Sequence, residues 1–291
     1  MSKIALGAVQ FGMDYGINSI SGQVLPAEIK DILNYAYRQN IDLLDTAPAY
    51  GNSEQVLGKC NSHEFKIVTK TRHFDCLEIG NREAQLLDSD FSQSLTDLKK
   101  DRVYGVLFHN ANDLLKHGSD KLFNRLNDFK QAGKIKKIGV SIYNHEQLQS
   151  IIDNFDIDLV QLPFNILDRR LVDSGMFRIL QDRDVEIHAR SVFLQGLLLM
   201  TEQSRPGKFK RWEALWKVWH EWLNDNQITA LEATIRHAIS IPEISKVLVG
   251  VDTVDQLKEI VLASPGILPD IPPEMFTNDA DLLNPSNWGK L

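Results

Sequence analysis

Ile41-Asp42-Leu43-Leu44-Asp45-Thr46-Ala47-Pro48-Ala49-Tyr50-Gly51-Asn52-Ser53-Glu54 runs from a short apolar stretch, through a loop bearing Pro and Gly, into a helix start. An apolar run of this length, closed off by turn residues, predicts a buried β-strand over 41–45. The same order recurs along the chain. Strands are predicted at 3–7, 41–45, 66–70, 103–108, 135–141, 158–161, 185–190 and 245–249. Amphipathic helices are predicted at 26–39, 53–60, 82–99, 119–132, 145–153, 169–181, 228–240 and 254–263, with an extra helix within 207–224. This alternation implies a parallel sheet. Eight strand–helix pairs fit a closed (β/α)8 TIM barrel of the α/β class, a single domain over 1–291 with 264–291 as C-terminal tail. An open doubly wound sheet fits less well, because Gly7-Ala8-Val9-Gln10-Phe11-Gly12 lacks the Gly-rich fingerprint that follows its first strand. Caps are predicted at Ser53 before Glu54, at Asn144 before His145-Glu146-Gln147, and in the box Thr253-Val254-Asp255-Gln256.

Parallel strands bring their carboxyl ends to one mouth, where barrel enzymes keep their chemistry. Asp45, Lys70 and His109 each end or follow a predicted strand, and Tyr50 lies in the loop after the second. A phenol titrates near pH 10 and gives up its proton reluctantly, but a nearby ammonium favours the phenolate. An aspartate holds that ammonium charged and in place, and an imidazole can orient a carbonyl oxygen. The four types together can polarise a carbonyl and protonate the alkoxide formed when hydride arrives. No side chain supplies hydride, so a cofactor must. Singly, each of the four is more often a surface or packing residue. Placed jointly at strand ends, they read as a site.

The segment 41–54 resembles the signature of the aldo-keto reductase superfamily. The likeness continues through Leu6–Gly12, Ile138-Gly139-Val140-Ser141, Val160–Asn165, Arg190–Gly196 and Val247–Gly250, nearly the whole chain and in family order. It implies a barrel reductase using NADP(H) or NAD(H) on a small-molecule carbonyl substrate, with Tyr50 as general acid, Lys70 tuning it, Asp45 anchoring Lys70 and His109 orienting the substrate. It further implies that Gly7 and Asp45 border the nucleotide, that Ser141, Gln161 and Asn165 meet the nicotinamide carboxamide or its surroundings, and that Ser191, Phe193 and Gly196 wrap the pyrophosphate. Gly250, Asp252 and Gln256 would then flank the adenosine. The first loop, Gln10 to Ile17, is similar to that of a branch common among bacterial sugar and polysaccharide biosynthesis proteins. A nucleotide sensor with little turnover is the alternative from another class.

The chain departs from the family pattern in four places. Ile142 follows Ser141 where an Asn amide is frequent, Arg190 stands where an aromatic commonly stacks on the nicotinamide, and Val9 replaces a bulky aromatic. In Gly250-Val251-Asp252-Thr253-Val254-Asp255-Gln256, Asp252 and Asp255 occupy a positive helix end where relatives that prefer NADP place Arg or Lys. A carboxylate there accepts a ribose hydroxyl and repels a 2′-phosphate, which favours NAD.

Hydrophobic content of 43%, charged content of 24% and a net charge of −7 describe a globular protein without a general polyanion-binding surface. No apolar run suits a bilayer, the first residues enter a strand at once, and Cys60 and Cys76 are too few for a disulfide framework. These features lead to the expectation of a cytoplasmic monomer or weak homo-oligomer without nucleic-acid or membrane partners. No His or Cys spacing suits zinc. His63, His73, His117 and His145 read as solvated, and His188 as barrel-lining. Asp168 could pair with Asp45 for glycoside hydrolysis, but Asp168-Arg169-Arg170 reads better as a cap or salt bridge. Trp212, Trp216, Trp219 and Trp222 share one helix face and read as packing, while Arg190 and the basic patch of Lys208, Lys210 and Arg211 suit a hydroxylated, anionic carbonyl substrate.

Overall fold

Successive side chains of a strand point to opposite faces, so a strand buried on both sides reads as a continuous apolar run. The chain is described by a computed structural model over residues 2–17, 22–60, 62–143 and 145–290. Asn144, expected as a cap, lies outside these residues, as do the side chains of His63 and His145. Strands β1 (Ile4–Gly7), β2 (Leu43–Asp45), β3 (Lys66–Lys70), β4 (Val103–Phe108), β5 (Ile135–Ser141), β6 (Leu159–Pro163), β7 (Glu186–Arg190) and β8 (Ile244–Gly250) close into a barrel in that order. Every neighbouring pair is parallel, and Ile4–Gly7 closes the ring against Val247–Gly250.

Helices cover the outer face of the barrel with apolar stripes. In Pro26–Arg38, Ile29, Ile32, Leu33 and Ala36 fall on one side and are buried, with Pro26 preorganising the first turn. The inner face is a separate cluster of Ala5, Leu43, Val68, Leu107, Leu159 and Leu248. Advancing each of these by two residues keeps the side chain inside and moves it toward the mouth. The result is Gly7, Asp45, Lys70, His109, Gln161 and Gly250. Moving back by two on β3 and β8 gives Lys66 and Lys246, which both pair with Asp42. His188 likewise lines the interior, with Glu186 two residues before it and Arg190 two after. Its Nε2 meets Glu186 Oε1 at 2.7 Å, and Glu186 Oε2 accepts from Tyr104 at 2.6 Å and pairs with Lys137 at 2.7 Å. The barrel is thus filled by an apolar middle between a charged floor and a polar mouth.

Several local expectations change. Ser53 is not the cap of its helix, Ser53–Lys59; Asn52 holds that position, and the buried Ser53 hydroxyl donates to the Ala8 carbonyl at 2.8 Å and meets Thr46 Oγ1 at 3.0 Å. Thr253 does cap Val254–Ala263, accepting from the Gln256 amide at 3.2 Å, but Gln256 Oε1 accepts from Asp252 N rather than Thr253 N. The helix expected over 169–181 divides into Arg170–Asp173 and Met176–Asp182, because Gly175 adopts φ +72°, which only glycine tolerates cheaply. Residues 207–224 form a 3-10 turn, Gly207–Trp212, followed by helix Glu213–Asp225. There Trp216, Trp219 and Trp222 are buried in a second core with Met275, Leu282 and Trp288 of the tail, and Trp212 is half-buried. The basic patch faces that tail: Lys208 donates to the Trp288 carbonyl at 2.8 Å, and Arg211 reaches Asp281 at 3.1 Å.

Gly139 shows how closely the interior is filled. A β-carbon there would press on the Leu159 carbonyl and come 2.8 Å from Leu107 Cδ2. Gly139→Ala should therefore lower stability by roughly 1–3 kcal/mol through overpacking. Urea denaturation checks this, and an unchanged midpoint would show that β5 and β6 can move apart freely.

Candidate active site

The mouth is a cavity of about 600 Å³. Asp45, Tyr50, His109, Ser141, Gln161 and Arg190 line it at one end, and Gly250, Asp252, Gln256 and Glu259 at the other. Gly7, Ser191, Phe193 and Gly196 line it between them. Lys70 does not reach the cavity wall. It is buried behind Tyr50, with its Nζ 4.9 Å from the Tyr50 ring centroid.

The Lys70 ammonium donates to Asp45 Oδ1 at 2.6 Å and to the Thr46 carbonyl at 3.1 Å. Asp45 Oδ2 accepts from Gln161 Nε2 at 2.7 Å, so both carboxylate oxygens are engaged and the group cannot turn away. Burial works against a charged Lys70, but the Asp45 carboxylate and Tyr50 outweigh it and hold the ammonium above the usual lysine range. The His109 ring stands edge-on to Tyr50, with centroids 5.8 Å apart. Burial, and then the Lys70 cation, depress the imidazole from 6.5 to about 4. At neutral pH it is therefore an uncharged hydrogen-bonding group. A phenol, a fixed ammonium beside it and a neutral imidazole facing one space can hold a carbonyl oxygen and give it a proton.

The other expected residues divide into two groups. Ser141 and Gln161 are adjacent in register, and neither the Ser141 hydroxyl nor Gln161 Oε1 has a hydrogen-bond partner among the described residues. Asn165 lies off the cavity. Its Oδ1 accepts from the Leu167 amide at 3.0 Å, and its Nδ2 is buried without a partner. Ile142 is buried, and its carbonyl accepts from Arg190 Nη2 at 2.9 Å. Ser191, Leu194, Gln195 and Gly196 all have positive φ, and the amides of Val192 and Phe193 donate to no described acceptor. Amides gathered by such a turn make a concavity suited to an anion. At the far end Asp252 Oδ1 and Gln10 Oε1 are buried without partners. Burial, with the Asp14 carboxylate nearby, raises the Asp252 carboxyl. Asp255 does not join it, because it pairs with Lys258 at 2.7 Å away from the cavity. Asp168 is also absent from the lining and pairs with Arg170 at 2.7 Å, so it forms no carboxylate couple with Asp45.

Three further lining residues are Tyr143, Tyr15 and Gln195, the last two within segments that the sequence had pointed to only as loops. Tyr143 follows β5 by two residues, a position strand-end reasoning could have found, and it lies under the Arg190 guanidinium at 4.5 Å. Tyr15 and Gln195, joined at 3.0 Å across 180 residues of chain, could not have been paired from the sequence. Unpartnered polar atoms at both ends, with an anion-suited turn between them, fit an elongated nucleotide carrying a carboxamide, a pyrophosphate and a ribose. Among the described residues no group of three or more His, Cys, Asp or Glu is arranged to hold a metal, and no helix is long and apolar enough to cross a membrane.

The model described as "Aldo/keto reductase family" matches residues 3–268. L-galactose dehydrogenase of Arabidopsis thaliana is 26% identical over 283 residues, covering 89% of this chain and 85% of that protein. The oxidoreductase sirO of Leptosphaeria maculans is 25% identical over 72% of this chain, which spans only 65% of that relative. Among solved structures, an aldo-keto reductase from Bacillus halodurans in its holo form superposes with a TM-score of 0.72 at 19% identity, covering 94% of this chain and 89% of that one.

Titration of the His109 ring followed by NMR tests the electrostatics directly. The neutral form should persist from pH 8 down to pH 5, with a midpoint near 4 rather than 6.5. The depressed value means that stability from this group is complete above 6.5 and is lost as the pH falls toward 4. A midpoint at or above 6.5 would show that the imidazole is solvated or paired with an anion.

Proposed function

The chain belongs to the aldo/keto reductase family, and from that premise we propose that it interconverts an aldehyde or ketone, sugar-like in character, with its alcohol. The observation that carries the proposal is the buried Lys70–Asp45 pair seated against Tyr50 at the cavity wall. The likeness to L-galactose dehydrogenase supports a sugar-like substrate. A nicotinamide nucleotide bound in the cavity supplies the hydride that no side chain carries.

The protein's own residues do the remainder. The Tyr50 hydroxyl bonds to the carbonyl oxygen and gives it a proton as negative charge gathers there. The Lys70 ammonium, fixed by Asp45, stabilises the phenolate that remains. Neutral His109 donates a second hydrogen bond and fixes the carbonyl without adding charge. Ser141 and Gln161 are the candidates to hold the carboxamide, the Ser191–Gly196 turn the pyrophosphate, and Asp252 the adenosine ribose. Tyr50→Phe should lower kcat by about 10²- to 10⁴-fold while leaving nucleotide affinity little changed. Rate assays and fluorescence titration of that variant separate the two effects. Undiminished turnover would remove Tyr50 from the mechanism, whereas tight nucleotide binding by the wild type without turnover of any carbonyl would favour a sensor.

Asp252 supports a preference for NAD(H) over NADP(H). Its carboxylate can accept a ribose hydroxyl, and it opposes a 2′-phosphate in the same place. Equilibrium titration should give tighter binding of NADH, and Asp252→Ala should move the NADH-to-NADPH affinity ratio about tenfold toward NADPH. A wild type that binds NADPH more tightly at moderate salt, or a ratio unchanged in the variant, would overturn the preference.

A further inference from the structure

Arg190 lines the catalytic end of the cavity and has no carboxylate partner among the described residues. Nη2 is tied to the Ile142 carbonyl at 2.9 Å, Nη1 reaches Ser191 Oγ at 3.3 Å, and Tyr143 covers one face of the guanidinium at 4.5 Å. A guanidinium has five N–H donors, so these two bonds position the group and leave its remaining donors free. A half-buried cation without a counter-charge carries a desolvation cost that an anionic ligand would offset. Tyr15 adds a second donor. Its oxygen accepts from Gln195 Nε2 at 3.0 Å, which leaves the phenolic proton available.

The charge pattern of the cavity points the same way. Asp252 has the Asp14 carboxylate beside it, while Arg190 is close enough to His109 and Tyr15 for its charge to act on both. A negatively charged group entering the cavity is repelled from the first and drawn to the second. We propose that Arg190, together with the Tyr15 hydroxyl, is the receptor for a carboxylate or phosphate carried by the carbonyl substrate. This rests on the reductase reading above and deepens it: the substrate class is an anionic hydroxy-aldehyde or ketone rather than a neutral one. The planar fork of arginine suits both anions.

Matched substrates test the proposal. Butanal with succinic semialdehyde isolates a carboxylate, and D-glyceraldehyde with D-glyceraldehyde 3-phosphate isolates a phosphate. Wild-type protein with NADH or NADPH should favour at least one anionic member by roughly ten- to a hundredfold in kcat/KM, mainly through KM. Which pair shows the preference identifies the anion. Arg190→Gln should collapse that ratio to near unity, Arg190→Lys should restore part of it, and Tyr15→Phe should reduce it several-fold. Equal kcat/KM for both members of each pair in the wild type overturns the inference while leaving the reductase reading intact. So does an unchanged ratio in Arg190→Gln or Tyr15→Phe, or a loss confined to nucleotide affinity, which would assign Arg190 to the cofactor. Failure to turn over any of the four carbonyls overturns the reductase reading and this inference with it.

Discussion

Side chains on a strand alternate between two faces, and closing eight strands turns one face into an interior that must be filled from every strand in turn. Everything at the mouth follows from that parity. Leu43, Val68, Leu107 and Leu159 are committed to the interior, so Asp45, Lys70, His109 and Gln161 must point inward as well. A one-residue slip in β3 would send Lys70 outward among the helices and leave Asp45 without its cation. The ion pair is also costly to bury unless the remaining bonding capacity is used. Thr46, through its carbonyl, and Gln161, through its amide, use it.

The same parity divides the charges of the cavity. On β7, Glu186, His188 and Arg190 share the inner face, so this one strand supplies the floor, the interior and the mouth in sequence. The carboxylates at the opposite end come from outside a strand: Asp252 lies in the turn after β8 and Glu259 on the helix Val254–Ala263. Strand positions are fixed by the barrel, whereas loop positions are free to vary. On the proposed mechanism the chemistry is accordingly built on strands and near strand ends, and the residues that would discriminate between ligands lie on the connections or at the last strand residue.

The barrel itself was legible because apolar runs and helix stripes repeat eight times, and each repeat supports the others. Strand ends fell within about two residues of the observed ones for the same reason. The placement of Asp45, Tyr50, Lys70 and His109 at one mouth was legible because two end strands, a third follows its strand at once and the fourth lies in the loop after β2. Legibility failed where tertiary contact decides the outcome. Ser53 looks like a cap from its neighbours, but a carbonyl 45 residues away captures its hydroxyl. Lys208 and Arg211 look like a ligand patch, yet the tail supplies their partners about 70 to 80 residues later. Asp255 resembles Asp252 in sequence, and only the helix geometry directs it to Lys258 instead of the cavity.

The apolar middle of the barrel has a consequence for proton traffic. Ala5, Leu43, Val68, Leu107, Leu159 and Leu248 are all buried and offer no polar atom to a chain of water molecules. Lys66 and Lys70 on β3 are four residues apart, about 13 Å at the rise of a parallel strand. Between the charged floor and the mouth, the polar interior side chain of β7 is His188, whose Nε2 meets Glu186 and whose Nδ1 has no partner among the described residues. On the proposed mechanism a proton given up at Tyr50 is replaced either from the side where ligands enter or by way of His188. Whatever fills the cavity closes the first of these routes.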